Sequence, residues 1–315
     1  MPPHPVHEVL HERRRSGSLP GERTDGFRVA LVIEGGGNRT AYSAGMALAL
    51  DELGLTSTVD AIYGTSGGAL NGAWLLTGEA QQWLPSWASP EVAANKITDP
   101  WRVLRGGTIV DTRLLVHHVY EQVTPMNFEA ILANPISFHP IGTDVHTGQA
   151  HDLSAHITDR ASLQTALRAT ICLPLLAGRP VPLGGRRWLD GGMAEGVPFR
   201  TAIADGATHL LVLRTRRTDQ SSQPPAALER RLLAPYFLRH APGVRDLHVT
   251  RHRSYAEEEA YLDQPDRDAD DVQILQLRPP LGSPDVPRLS TDLDLIARAL
   301  EIGRVTARET LDLRP

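Results

Sequence analysis

Twice between residues 27 and 76 the chain runs from an apolar strand pattern through a glycine turn into a helix pattern. Val29, Ala30, Leu31, Val32 and Ile33 form an unbroken apolar run, as expected of a parallel strand buried on both faces. The run stops at Gly35-Gly36-Gly37, after which Ala41, Ala44, Ala47, Leu48 and Leu50 recur at helical spacing. Val59-Asp60-Ala61-Ile62-Tyr63 then reads as a second strand, Gly64-Thr65-Ser66-Gly67-Gly68 as a tight turn, and residues 69–76 as the start of an apolar helix. Consecutive strand–turn–helix units of this kind pair their strands in parallel through right-handed crossovers. The expected fold class is therefore α/β, a three-layer α/β/α sandwich around a central, mostly parallel sheet.

The second turn spells G-x-S-x-G, with Ser66 at its apex and Gly64, Gly67 and Gly68 relieving the crowding of a strained elbow. A serine hydroxyl is a poor nucleophile at neutral pH, so it needs a base to take its proton and donors to hold the oxyanion that forms. The spelling alone recurs by chance; the strand before it and the helix after it carry the inference. The triple-glycine loop lies between a strand end and a helix start, where free backbone amides face a developing negative charge. Downstream, Asp190-Gly191-Gly192 leaves a carboxylate uncrowded on a turn, which suits a base, although a lone D-G-G is more often an ordinary Asx turn. His117, His118, His139, His146, His151 and His156 crowd one region, yet no H-E-x-x-H or carboxylate at ligand spacing accompanies them. They are expected to be hydrogen-bonded or solvated, and no metal or cofactor is required.

The 315 residues, 41% hydrophobic, supply a sizeable core, and a net charge of −5 gives no basic field for nucleic acid. A single cysteine, Cys172, excludes an internal disulfide framework. Residues 1–26 mix a basic run with proline and serine and lack the apolar stretch of a secretory leader, so they read as a mobile tail. Residues 27–315 read as one domain, with the motifs in 27–214 and a helical C-terminal part in 226–315. No run reaches the length of a membrane span, and a cytoplasmic protein is expected. Residues 77–111 read as a surface-covering segment whose tryptophans pack rather than bind ligand. Helices are expected at 114–123, 162–171, 228–239 (interrupted by Pro235), 247–262 and 293–311, and strands at 136–143 and 272–277.

Four motifs in order carry a family resemblance: Gly35-Gly36-Gly37-Asn38-Arg39, Gly64-Thr65-Ser66-Gly67-Gly68, Ala169-Thr170-Ile171-Cys172-Leu173-Pro174 and Asp190-Gly191-Gly192. The chain resembles the patatin-like phospholipases over residues 27–214, and Leu31-Val32-Ile33-Glu34 with Tyr42-Ser43-Ala44-Gly45 is similar to their bacterial branch. Thr40 stands where the family usually has glycine. The resemblance implies a lipid acyl hydrolase that works with a Ser66–Asp190 dyad, without histidine or cofactor, and with Gly35, Gly36, Gly37, Asn38 and Arg39 forming the oxyanion loop. His209 follows Asp190 in the order a triad would need, but it opens a strand, and sites in open α/β sheets lie at strand carboxyl ends. It is read as structural. The implied partner is a lipid or acyl ester; the basic and apolar mixture of residues 228–245 adds weak peripheral contact with an anionic membrane. An acyltransferase or thioesterase would use the same acyl-serine. A phosphate or nucleotide binder would use the glycine loop alone, without the P-loop lysine or the third glycine that Thr40 replaces.

Overall fold

Strand β1 (Val29–Ile33) is buried along its whole length and lies near the middle of an eight-stranded sheet. The computed structural model describes residues 4–220, 224–264, 268 and 271–312. The other strands are β2 (Ala61–Thr65), β3 (Ser137–Asp144), β4 (Ala150–Asp152), β5 (Val181–Leu183), β6 (Arg186–Asp190), β7 (His209–Leu213) and β8 (Gln273–Leu277). Their order is β5-β6-β3-β2-β1-β7-β8, with β4 paired to β3. The pairs from β3 through β8 are parallel, whereas β4, β5 and β6 join antiparallel beside β3. Side chains alternate across β1 as the pleat demands. Val29, Leu31 and Ile33 join a large core with the helices on one face, while Ala30 and Val32 join a second core with Phe199, Ala202 and Leu262 on the other. Helices thus cover both faces, as the tandem units predict.

Residues expected to be a mobile tail are built into the molecule instead. Pro5–Ser16 forms helix α1, capped at its C-terminus by Gly17 in the left-handed region. Val6 and Leu10 are fully buried, and Arg13 bonds Asp25, Asp60, the Thr58 carbonyl and the Phe27 carbonyl. Val6, Val9 and Leu10 have helical spacing, but the arginines at 13–15 mask it in a composition reading. Helix Ala227–His240 also runs through Pro235 without interruption, its Tyr236 and Phe237 anchored in a core with Trp188. Tertiary packing there outweighs the lost backbone bond. The helix expected at 114–123 winds as a π-helix over Leu115–Val123.

The C-terminal helix Leu293–Leu311 is part of the main core. It lies against helix α2 (Ala41–Glu52) so closely that a β-carbon on Gly45 would sit 1.8 Å from the Leu300 carbonyl oxygen. A β-carbon on Gly303 would be 2.0 Å from the Tyr42 oxygen. Small residues on both helices permit this approach.

Candidate active site

Register brings the candidate dyad together. Thr65 at the end of β2 pairs with Ile141 of β3, and the next β3 residue, Gly142, pairs with Asp190 at the end of β6. Ser66 follows Thr65 and starts helix α3 (Gly67–Leu76) with φ 55° and ψ −130°, a conformation few non-glycine residues adopt. The neighbouring glycines allow it: a β-carbon at Gly68 would sit 2.4 Å from the Ile33 oxygen, and one at Gly67 2.4 Å from Thr40 Oγ1. The Ser66 hydroxyl donates a 2.6 Å hydrogen bond to Asp190 Oδ2, and the Gly192 amide donates to Asp190 Oδ1 at 2.8 Å. Both residues are almost fully buried. Burial pushes the Asp190 carboxyl up, and the Ser66 hydroxyl, the Gly192 amide and Arg251 offset only part of that rise.

The proline-bearing segment clamps the pair. Thr170 Oγ1 accepts the Ser66 amide at 3.0 Å and donates to the Ile141 carbonyl at 2.6 Å, while the Asp190 amide donates to the Cys172 carbonyl at 2.9 Å. Thr143 Oγ1 donates to the Asp190 carbonyl at 2.9 Å. Thr170 belongs to the proline-bearing motif, but its clamping bonds, like the position of Thr143, show only in the register of β3.

The glycine loop crosses in front of Ser66. Its members are not equivalent: the Gly35 amide donates to the Gly196 carbonyl at 3.1 Å and the Asn38 amide to the Arg288 carbonyl at 2.8 Å. The amides of Gly36 and Gly37 have no backbone acceptor among the described residues. Arg39 Nε lies 3.3 Å from Thr215 Oγ1, which itself donates to the Gly35 carbonyl, so the arginine braces the loop through Thr215. Buried Thr40 donates to the Gly37 carbonyl and fills the space above Gly67, so a threonine at this position ties the glycine loop to the elbow. Beneath the loop, Glu34 accepts from Arg214 Nε, the Thr215 amide and the Tyr255 hydroxyl. Burial opposes its ionisation, but Arg214, Arg216 and Arg39 win and hold its pKa at about 2.

Ser66 sits where two cavities meet. One, of about 190 Å³, is mainly apolar and is walled by Leu70, Trp74, Trp87, Ile97, Leu115 and Ile296 among others. Trp87, expected only to pack, thus faces a ligand-sized space. The other, of about 50 Å³, is lined by the glycine loop, Asp190, Glu34, Tyr255 and four arginines. Arg251, Tyr255 and Arg288 come from beyond residue 214, where the sequence motifs had ended.

His209 opens β7, at the end of the strands opposite the site; its Nδ1 lies 3.0 Å from Thr208 Oγ1 and its ring packs at a tilt against Phe27. Among the crowded histidines, His139 is held by Asp152 and Ser137. Ligand atoms of His139, Asp152 and Asp205 lie within 4.8 Å of one another beside Tyr63, whose ring stacks on His139 and whose hydroxyl donates to Asp205.

Residues 31–203, more than half of the chain, match the family model described as patatin-like phospholipase. The chain belongs to the patatin-like phospholipase family. A relative, the uncharacterised protein YjjU of Escherichia coli K12, is 27% identical over 204 residues, which span 60% of this chain and 52% of that protein. The match therefore covers only about half of the relative's length. Among solved structures, VipD of Legionella pneumophila aligns with a TM-score of 0.44 at 13% identity, over 91% of this chain and 67% of the other. Human GIVD cytosolic phospholipase A2, in complex with methyl gamma-linolenyl fluorophosphonate, aligns with a TM-score of 0.43 at 14% identity, over 97% and 62%.

Proposed function

We propose that this member of the family hydrolyses carboxylic esters of lipids through an acyl-serine. The 2.6 Å bond from the Ser66 hydroxyl to Asp190, placed where a polar and an apolar cavity meet, carries the reading. Ser66 Oγ attacks the ester carbonyl as its proton passes to Asp190 Oδ2, and the amides of Gly36 and Gly37 receive the oxyanion. Collapse of the tetrahedral intermediate breaks the ester bond, and the alcohol leaves with the proton from Asp190. Water then attacks the acyl-serine, giving a proton to Asp190 that returns to Ser66 as the fatty acid departs. A carboxylate in water is too weak a base for this step. The burial that raises Asp190 narrows that gap, and the direct contact supplies the orientation.

The apolar cavity suits the acyl chain. Peripheral contact with an anionic lipid surface belongs to the same proposal: Leu228, Leu232 and Leu238 are exposed beside Arg230, Arg231 and Arg239, and Trp101 and Leu104 are exposed on a turn whose base, Thr98 and Val110, lines the apolar cavity. Hydrolysis of a p-nitrophenyl acyl ester by the wild type and by Ser66→Ala tests the reaction. The mutant is expected to be folded and inactive; wild-type turnover in the mutant would refute the nucleophile assignment.

A further inference from the structure

One chain of hydrogen bonds joins the apolar cavity to the glycine loop. Trp87, on the cavity wall, donates from Nε1 to Asn71 Oδ1 at 2.7 Å. An indole N–H can only donate, so it fixes which way round the Asn71 amide stands. Asn71 Nδ2 therefore faces the Thr40 carbonyl at 3.0 Å and Ser43 Oγ at 3.1 Å, and Ser43 donates to the same carbonyl at 3.0 Å. Asn71, Thr40 and Ser43 are fully buried, where an amide or hydroxyl left unpaired is costly. Thr40 Oγ1 in turn donates to the Gly37 carbonyl.

Three consecutive glycines have wide backbone freedom, so the shape of the loop must come from its partners. In a trans peptide the N–H points away from the carbonyl of the same unit. The Gly36 carbonyl accepts the Arg39 amide at 3.3 Å, which turns the Gly37 N–H the opposite way. The following unit is held at both ends, its carbonyl by Thr40 and its N–H by the Arg288 carbonyl. Gly37 stands between these two units at φ 59°, in the left-handed region. Freeing its carbonyl would let the chain turn about Gly37, and the Gly37 amide would lose its aim. Glycine, usual at position 40 in the family, has no hydroxyl to offer, so this brace is the chain's own.

We propose, resting on the hydrolase reading above, that Thr40 and Asn71 are positioning residues for the glycine loop and that Trp87 holds them in place, so that a residue of the acyl-cavity wall sets the rate of the chemical step. Thr40→Val keeps the shape of the side chain and removes its hydroxyl; Trp87→Phe keeps an aromatic wall and removes the N–H. With the full chain and a p-nitrophenyl acyl ester, Thr40→Val is expected to lower kcat by about tenfold with KM nearly unchanged. That is less than the loss of about 10² for deleting an oxyanion donor, because the amide is misaimed and not removed. Trp87→Phe is expected to lower kcat by about threefold to tenfold, the scale of one hydrogen bond, again at constant KM. Thr40→Ser is expected to restore most of the wild-type rate. The double variant should be no slower than Thr40→Val alone, since both changes cut the same chain.

Melting temperatures report whether each variant is folded, and if Thr40→Val is not, the kcat of Trp87→Phe decides alone. A Trp87→Phe that changes KM and leaves kcat intact overturns the proposal, as do losses that multiply in the double variant. If the wild type turns over no ester, the hydrolase reading falls and amide hydrogen exchange decides the brace. Faster exchange over residues 35–40 in Thr40→Val and Trp87→Phe, but not in Thr40→Ser, supports it; unchanged exchange overturns it.

Discussion

At the scale of single residues, Asp190 sets activity against stability. Its carboxyl is raised above the ordinary carboxylate range by burial, so the folded protein binds its proton more tightly than the unfolded chain does. Its contribution to stability is therefore greatest at low pH and falls as pH rises from the unfolded pKa through the folded one. In the proposed reaction Asp190 acts in its ionised form, so activity is expected to rise over the upper part of that same window. Asp190→Asn should accordingly lose most turnover and yet melt at a higher temperature than the wild type at pH 7, with the gain shrinking at pH 4. A variant that melts lower at both pH values would contradict this. His209→Ala should keep its turnover, since His209 contacts Thr208 and Phe27 and not the dyad. Ser66 and Asp190 could be read from the sequence because each sits in a turn with a local spelling. Thr143, Arg216 and Arg251 could not, because what places them at the site is a neighbour more than thirty residues away in the chain.

At the scale of elements, tandem strand–turn–helix units were legible because period and punctuation agree: apolar runs mark β1 and β2, and glycines mark their ends. Helix α1 is not announced by the sequence pattern because its polar anchors come from one arginine whose partners, Asp25, Asp60 and the Thr58 and Phe27 carbonyls, lie outside the helix. The close approach of α2 and Leu293–Leu311 rests on glycines that no pattern of apolar residues announces. Gly45→Val would place side-chain atoms inside the Leu300 peptide and force the helices apart. It should cost about 4 kcal/mol or more, the range reserved for severe overpacking. Chemical denaturation would show the loss, and a change below 1 kcal/mol would mean that the helices do not meet at Gly45.

For the molecule as a whole, the site is completed by sequence far from its motifs. The β1, β2 and β6 ends supply the glycine loop, Ser66 and Asp190, whereas the helix Arg245–Leu262 supplies Arg251 and Tyr255. Residues 31–203 identify the family, but Arg216, Arg251, Tyr255 and Arg288 of the smaller cavity lie beyond them. The exposed leucines and arginines of helix Ala227–His240 should bind anionic vesicles at low salt and release them as ionic strength rises. Flotation with no bound protein even at low salt would remove the membrane contact while leaving hydrolysis of soluble esters untouched. The central claim, that Ser66 is made nucleophilic by Asp190 alone, is tested most directly by labelling with a fluorophosphonate followed by peptide mass spectrometry. The expected result is a single adduct on Ser66 in the wild type and in His209→Ala, with none in Ser66→Ala and labelling at least about 10²-fold slower in Asp190→Asn. Labelling at wild-type rate in Asp190→Asn, or a folded His209→Ala that fails to label, would contradict it.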